Sequence, residues 1–350
     1  MKILITGNMG YIGPVVTRRL KAAFPNAELI GLDLGFFAHC LTNEKFLPEC
    51  MMSRQIFGDV RNVDEATLAG VDAIVHLAAI SNDPMGNTYE KVTLAINHQA
   101  SVQLAKTAKK AGVKNFVFAS SCSVYGAADD GARTEDSPLN PLTAYAKSKI
   151  NTETDIKGLA DDKFNVTCLR FATACGMTNR LRLDLVLNDF VAGAVTAKKI
   201  SIMSDGTPWR PLIHVEDMAR AIEWAVTRKA SNGGAALVVN AGSNDWNYQV
   251  REIADAVAQV MPGVSVSVNK DAPPDKRSYR VDFARFKSLA PNHQPQVTLA
   301  KAAEALRAGL EGMGFHDANF RESRFIRLKV LTAHRDEGRL DAELRWNFKV

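Results

Sequence analysis

Tyr145 and Lys149 stand four residues apart in the stretch YAKSK. On a helix this spacing puts both side chains on one face, so a phenol and an ammonium can enter the same cleft. A free tyrosine titrates at about pH 10, too high for a base at neutrality. A fixed Lys149 charge, helped by the positive ring of an oxidised nicotinamide, would favour the phenolate, and the lysine can also hold the nicotinamide ribose. Upstream, SSCSVYG (120–126) closes the apolar run NFVFA and crowds Ser121, Cys122 and Ser123 where a buried strand gives way to a loop. From these residues alone, a polar turn and a substrate contact both remain open.

A second constellation begins the chain. TGNMGYIG follows the apolar run KILIT and supplies Gly7, Gly10 and Gly13, with Tyr11 and Ile12 between the last two. Glycines so placed allow a tight turn, close backbone approach to a pyrophosphate and close helix–strand packing. The next helix would aim its N-terminal amides and dipole at the phosphates. ELIGLD then ends at Asp33, twenty residues beyond Gly13. A carboxylate there accepts hydrogen bonds from both adenosine ribose hydroxyls and repels a 2′-phosphate, which favours NAD over NADP. Asp59 and Val60 close a third apolar run, where the carboxylate either reaches the adenine amino group or caps a turn.

Strands and helices must position these groups. KILIT (2–6), ELIGLD (28–33), RQIFGD (54–59), DAIVHLA (72–78), NFVFAS (115–120) and NVTCLRF (165–171) are nearly continuous apolar runs, as parallel strands covered on both faces require. Helical patterns lie between several of them, over 11–24, 92–111 and 143–160. The alternation predicts an α/β chain, a Rossmann-type doubly wound parallel sheet. Beyond residue 175 the rhythm changes to short strand-like pieces (ISIM, ALVVN, VSVSV) and helices over 183–198, 215–228, 248–260 and 298–311. The expected division is therefore a dinucleotide-binding domain over 1–175, with some later segments interleaved. Residues 176–350 would form mainly a smaller C-terminal α/β substrate lobe and an amphipathic helix over 320–340.

Composition excludes several classes. The chain has 350 residues, 46% of them hydrophobic and 23% charged, with net charge +5. That is enough for a sizeable core, and no apolar stretch reaches the roughly 18 residues of a membrane span. KILIT is too short for a signal peptide's apolar region. Residues 321–350 carry eight basic and five acidic side chains, so the basic excess there is mixed with acid and comes without a nucleic-acid-binding motif. The five cysteines form no CxxC pair, which suits reduced thiols in the cytoplasm. No histidine pair, or histidine with cysteine, has metal-ligand spacing.

Taken in order, TGNMGYIG, HLAA (76–79), Asn97, SSCSVYG, YAKSK and WRPLIHVEDMA (209–219) resemble the extended short-chain dehydrogenase/reductase family, in its nucleotide-sugar epimerase/dehydratase branch. The resemblance implies a Rossmann domain holding NAD, a lobe gripping a nucleoside diphosphate sugar, and a homodimer formed through the helices at 92–111 and 143–160. Ser121 matches the family's catalytic Ser/Thr, and Tyr145 and Lys149 its catalytic pair. Leu77, Ala78 and Ala79 match residues lining the cofactor pocket, and Asn97 one that braces the site. Arg210 matches a contact to the sugar-nucleotide phosphates, Asn188 a substrate-binding asparagine, and Arg277 or Arg280 a second phosphate contact. Ser123 stands among the substrate-facing positions. An arginine fork suits a diphosphate because it donates two parallel hydrogen bonds.

Relatives that dehydrate sugars carry Asp and Glu after the catalytic Thr; here Cys122 and Ser123 occupy those places. Relatives that epimerise at C3 and C5 place a cysteine where Ser123 stands. The expectation is a C4 epimerase using Ser121, Tyr145 and Lys149, with Cys122 a packed thiol. A 4-keto-sugar reductase, a dehydratase and a non-catalytic NAD-binding redox sensor are the alternatives.

Overall fold

The apolar runs of the first half become strands that cannot alternate inward and outward, because both of their faces are covered. Ile3, Leu4 and Ile5 are all fully buried. Ile3 and Ile5 pack on one side of the sheet with Val15, while Leu4 packs on the other with Ile30, Leu104 and Phe116. The computed structural model describes residues 1–43, 45–128, 131–269 and 278–347.

The main sheet contains β1 (Lys2–Thr6), β2 (Glu28–Asp33), β3 (Arg54–Phe57), β4 (Ala73–His76) and β5 (Asn115–Ser121). Two later strands, Asn165–Phe171 and Ala236–Ala241, complete seven, all paired in parallel. In order of occurrence the sheet reads 3-2-1-4-5-6-7. Winding runs outward from β1 to β3, then resumes on the other side at β4. The carboxyl ends of β1 and β4 therefore flank a crevice at the switch point, where ligands of open α/β sheets bind. Helix α1 (Gly13–Ala23) leads away from that crevice.

A smaller lobe follows the strand Asn165–Phe171. Its strand Trp209–His214 pairs in parallel with Thr173–Cys175 and antiparallel with Asn247–Gln249, and Lys199–Ile202 pairs with Ser265–Val268. Helices Val186–Ala197, Val250–Val260 and Leu299–Gly312 pack around these short sheets.

Three elements depart from the sequence reading. The run ALVVN enters the main sheet as its seventh strand instead of joining the smaller lobe. The pattern over 92–111 is a π-helical segment, Ala95–Ala100, continued by the α-helix Ser101–Lys110. The amphipathic segment near the end shortens to Arg327–Asp336. It packs back on the dinucleotide side: His334 Nε2 lies 3.0 Å from the Phe36 carbonyl oxygen, to which it donates. Along Ser101–Lys110 and Ala144–Lys157 the exposed positions, among them Gln103, Lys106, Lys147 and Asn151, are polar.

Candidate active site

One cavity of about 590 Å³ occupies the crevice at the switch point and extends between the sheet and the smaller lobe. Such a volume lies within the usual range for ligand and cofactor sites. Its first wall is the glycine turn. Gly7 has φ +73, and a Cβ there would stand 2.6 Å from the Ala78 nitrogen, so the turn can lie against the end of β4 only with glycine. Gly10, Tyr11, Ile12 and Gly13 line the cavity. Helix α1 has no side-chain cap and no acidic residue in its first turn. Its positive dipole end suits a phosphate anion.

Asp33 ends β2 and also lines the cavity. Its carboxylate accepts hydrogen bonds from the Met9 and Gly35 amides at 3.0 and 2.7 Å, while burial pushes its pKa upward. Two oxygens so fixed keep lone pairs for a ribose diol. Val60, Leu77, Ala78 and Ala79 line the same region. Asp59 lines it too, but its carboxylate is engaged: it accepts from the Arg61 amide at 2.9 Å and from Arg61 Nε at 2.8 and 2.9 Å. The turn-capping role is thus visible in the fold. This donor set fits a dinucleotide with an unphosphorylated adenosine ribose.

At the other end of the cavity, β5 and the helix Ala144–Lys157 bring Ser121, Tyr145 and Lys149 together. Thr143 caps that helix by accepting from the Ala146 amide. The Ser121 side chain lies beside the Tyr145 phenol and lowers its pKa, and its Oγ accepts from the Ser123 amide at 3.1 Å. Lys149 Nζ donates to the Ala119 carbonyl oxygen at 2.6 Å and lies 5.5 Å from the centre of the Tyr145 ring. Burial pulls Lys149 down to about 8, with Glu153 opposing that shift. Burial pushes Tyr145 up to about 12, and the neighbouring Ser121 side chain offsets only part of the shift. Burial therefore works against the phenolate, which the sequence reading assigns to the combined charges of Lys149 and an oxidised nicotinamide.

The turn after β5 is held from beneath. Cys122 is fully buried, its Sγ donates to the Arg170 carbonyl oxygen at 3.1 Å, and burial drives its pKa upward. It is a packed thiol, out of the cavity. Arg170 forks onto Glu153 at 2.7 and 3.0 Å and donates to the Tyr125 hydroxyl, which in turn donates to Asn240. Ser123 lines the cavity, and its buried Oγ has no hydrogen-bond partner. Gly126 ends the turn at φ +64, where a Cβ would lie 1.9 Å from the Asn140 oxygen.

Several sequence-predicted residues stand elsewhere. Asn97 does not line the cavity; its amide clasps Ile80, accepting from the nitrogen at 2.8 Å and donating to the oxygen at 2.9 Å, and it also donates to Ser148. It braces the loop after β4 and the catalytic helix. Asn188 is fully buried, and its amide accepts from the Gly176 nitrogen and donates to the Tyr11 hydroxyl and the Arg182 carbonyl oxygen. The expected substrate contact is not seen, because the side chain is buried outside the cavity and both of its amide hydrogens are spent within the protein. Arg280 is exposed and stacks its guanidinium 5.2 Å over the Trp209 ring, outside the cavity. Arg210 does line it. Arg277 lies outside the described residues.

The cavity also recruits residues that sequence reasoning missed. Arg182 forks onto Asp184 at 2.9 and 3.0 Å and donates to Ser81 Oγ at 3.1 Å. Asp83, which accepts from Thr143 Oγ1 at 2.7 Å, opposes ionisation of Tyr145. Tyr279 and Arg327 complete the wall. A charged pair in RLRLD could have drawn attention, but nothing in its local pattern says which way it faces.

Residues 3–242 match the NAD dependent epimerase/dehydratase family. The chain is 28% identical over 278 residues to a UDP-glucose 4-epimerase of Corynebacterium glutamicum, covering 74% of this chain and 80% of that protein. It is 27% identical over 308 residues to a dTDP-glucose 4,6-dehydratase of Streptomyces griseus, covering 87% and 92%. Among solved structures, a dTDP-glucose 4,6-dehydratase of Streptomyces venezuelae with NAD bound superposes with TM-score 0.75 at 26% identity, covering 91% of this chain and 99% of that one. The dinucleotide wall, the Ser–Tyr–Lys set and these matches agree, and the chain belongs to the NAD dependent epimerase/dehydratase family.

Proposed function

We propose that the protein is a nucleotide-sugar 4-epimerase, which oxidises an NDP-sugar at C4 and reduces it again with no net redox change. The observation that carries this reading is the convergence of Ser121, Tyr145 and Lys149 on one end of the cavity, with a thiol and a hydroxyl at 122 and 123. Gly7, Gly10 and the start of α1 would hold the cofactor's diphosphate, and Asp33 its adenosine ribose. NAD, when bound, supplies the hydride acceptor and donor.

The chain's own residues handle the proton. Tyr145 takes the proton of the C4 hydroxyl as that carbon is oxidised and returns it when the opposite face is reduced. Its ionisation needs a positive charge beyond Lys149, since burial alone leaves it at about 12. Ser121 donates to the developing carbonyl oxygen, and Lys149 keeps its charge beside the phenol. Arg210 suits the diphosphate of the substrate. Five free cysteines are in keeping with a cytoplasmic setting. A homodimer is the assembly we assign, and sedimentation equilibrium tests it.

Asp83 favours one second reading. Its carboxylate lies near enough to Tyr145 to act on it electrostatically and could serve as the acid of a dehydration that positions 122 and 123 do not provide.

The test is to incubate UDP-, GDP-, CDP- and dTDP-sugars with the protein in deuterated water without added NADH. A C4 epimer free of solvent deuterium is expected. Loss of water, or deuterium beside a keto group, would refute the epimerase and support dehydration. Turnover that begins only with NADH would identify a reductase.

A further inference from the structure

The segment 326–347 lies beyond the family match at 3–242, yet Arg327, Leu328 and Leu331 line the same cavity as Gly10 and Asp33. It is tied to both sides of the crevice. On the sheet side, Trp346 Nε1 donates to the Leu34 carbonyl oxygen at 2.6 Å, and its ring lies 5.6 Å from that of Phe36. Arg61 donates to the Glu343 carbonyl oxygen at 2.7 Å, and Arg345 lies 3.7 Å from Asp59. On the lobe side, Arg327 Nη2 donates to the Arg180 carbonyl oxygen at 2.7 Å. These anchors flank Asp33 and Asp59, so the segment crosses the adenosine half of the cavity.

Arg327 is the unusual member. It is 1% exposed, its guanidinium sits 4.5 Å over the Phe37 ring, and its Nη1 has no hydrogen-bond partner. Arg180 and Arg182 nearby are each neutralised by a forked carboxylate, Glu49 and Asp184. Among the described residues Arg327 has no such ion pair: Asp184, already forked by Arg182, acts on it only from beyond ion-pair distance. A buried cation without an ion-pair partner is costly, and a bound anion relieves the cost.

We propose that 326–347 is the outer wall of the dinucleotide site, strapping the cofactor in, and that Arg327 supplies a counter-charge to its diphosphate. This rests on NAD occupying the cavity. A strapped cofactor suits an enzyme that returns its hydride to the same substrate and has no need to exchange NAD between turnovers.

Three measurements on the full chain test the proposal. The first is the dissociation rate of NAD, chased with excess unlabelled NAD, in the wild type and in Trp346→Phe, which keeps ring packing but removes the bond to Leu34. An increase of about tenfold is expected, the equivalent of one ordinary hydrogen bond. The second is affinity by calorimetry: Arg327→Met should weaken NAD and ADP-ribose about 10- to 100-fold and leave adenosine unchanged. The third is hydrogen exchange of the wild type with and without NAD, where the amides of 327–336 should become protected. Unchanged dissociation in Trp346→Phe, equal losses for adenosine and ADP-ribose, or no protection of 327–336 would each overturn the proposal. A wild type that binds no NAD would remove its premise and the family's cofactor together, a result distinct from all three.

Discussion

Replacing Lys149 by Met separates what catalysis needs from what folding prefers. Lys149 is 4% exposed, and burial brings its pKa from the ordinary 10.5 to about 8. That difference corresponds to about 3 kcal/mol that the folded state spends on keeping the ammonium charged. The sign follows from proton counting. Between pH 8 and 10.5 the unfolded chain binds more protons at this site than the folded one, so stability rises with pH across that window. Below 8 the cost is present in full; above 10.5 it has gone. Methionine removes the charge and the cost, but also the bond to the Ala119 carbonyl oxygen, a charge-assisted hydrogen bond worth about 1.5–3 kcal/mol. At pH 7 the variant should therefore be as stable as the wild type, or more stable by up to about 2 kcal/mol. With an unfolding entropy of about 2.1 cal/mol/K per residue, each kcal/mol moves the Tm of this chain by about 1–2 °C. Turnover should fall at least about 100-fold. Urea denaturation of both proteins at several pH values between 7 and 10 is the assay, and their difference cancels titrations elsewhere. The wild type should gain about 2.5 kcal/mol relative to the variant across that range. A variant less stable by more than about 2 kcal/mol at pH 7, or a difference independent of pH, would refute the reasoning.

Three further outcomes are expected. Tyr145→Phe should keep its fold and bind NAD while losing epimerisation by about 1,000-fold, read by circular dichroism, calorimetry and product analysis. Glu153→Ala strands the buried Arg170 guanidinium and should cost about 3–5 kcal/mol in urea denaturation; a loss below about 1 kcal/mol would contradict the buried pair seen beneath the catalytic turn. Iodoacetamide at pH 8 should label the exposed Cys50 rapidly and leave Cys122 untouched in the folded protein, because only the first is accessible and the second is held as a thiol by burial.

What the sequence carried was local. A strand running into TGNMGYIG, an aspartate twenty residues on and a tyrosine four residues before a lysine all obey rules of backbone geometry that act over one or two turns. Strand by strand, the main sheet followed from the apolar runs, because parallel strands buried on both faces leave a dense hydrophobic signature. ALVVN carried the same signature, and its place at the sheet edge was still illegible, since pairing partners lie about 70 residues away.

Orientation and environment were decided only in three dimensions. Asn188 has the chemistry to bind a sugar, but folding buries it outside the cavity and turns both of its amide hydrogens onto Tyr11 and Arg182. Arg280 has the charge for a phosphate and turns it onto Trp209 instead. Arg182 and Arg327, about 145 residues apart, meet at one cavity because the chain's last segment folds back over its first domain. Spacing alone predicted that Tyr145 and Lys149 would share a face. Their protonation was set by the walls around them, because desolvation is a property of everything packed against a group, and a linear pattern records only the neighbours along the chain.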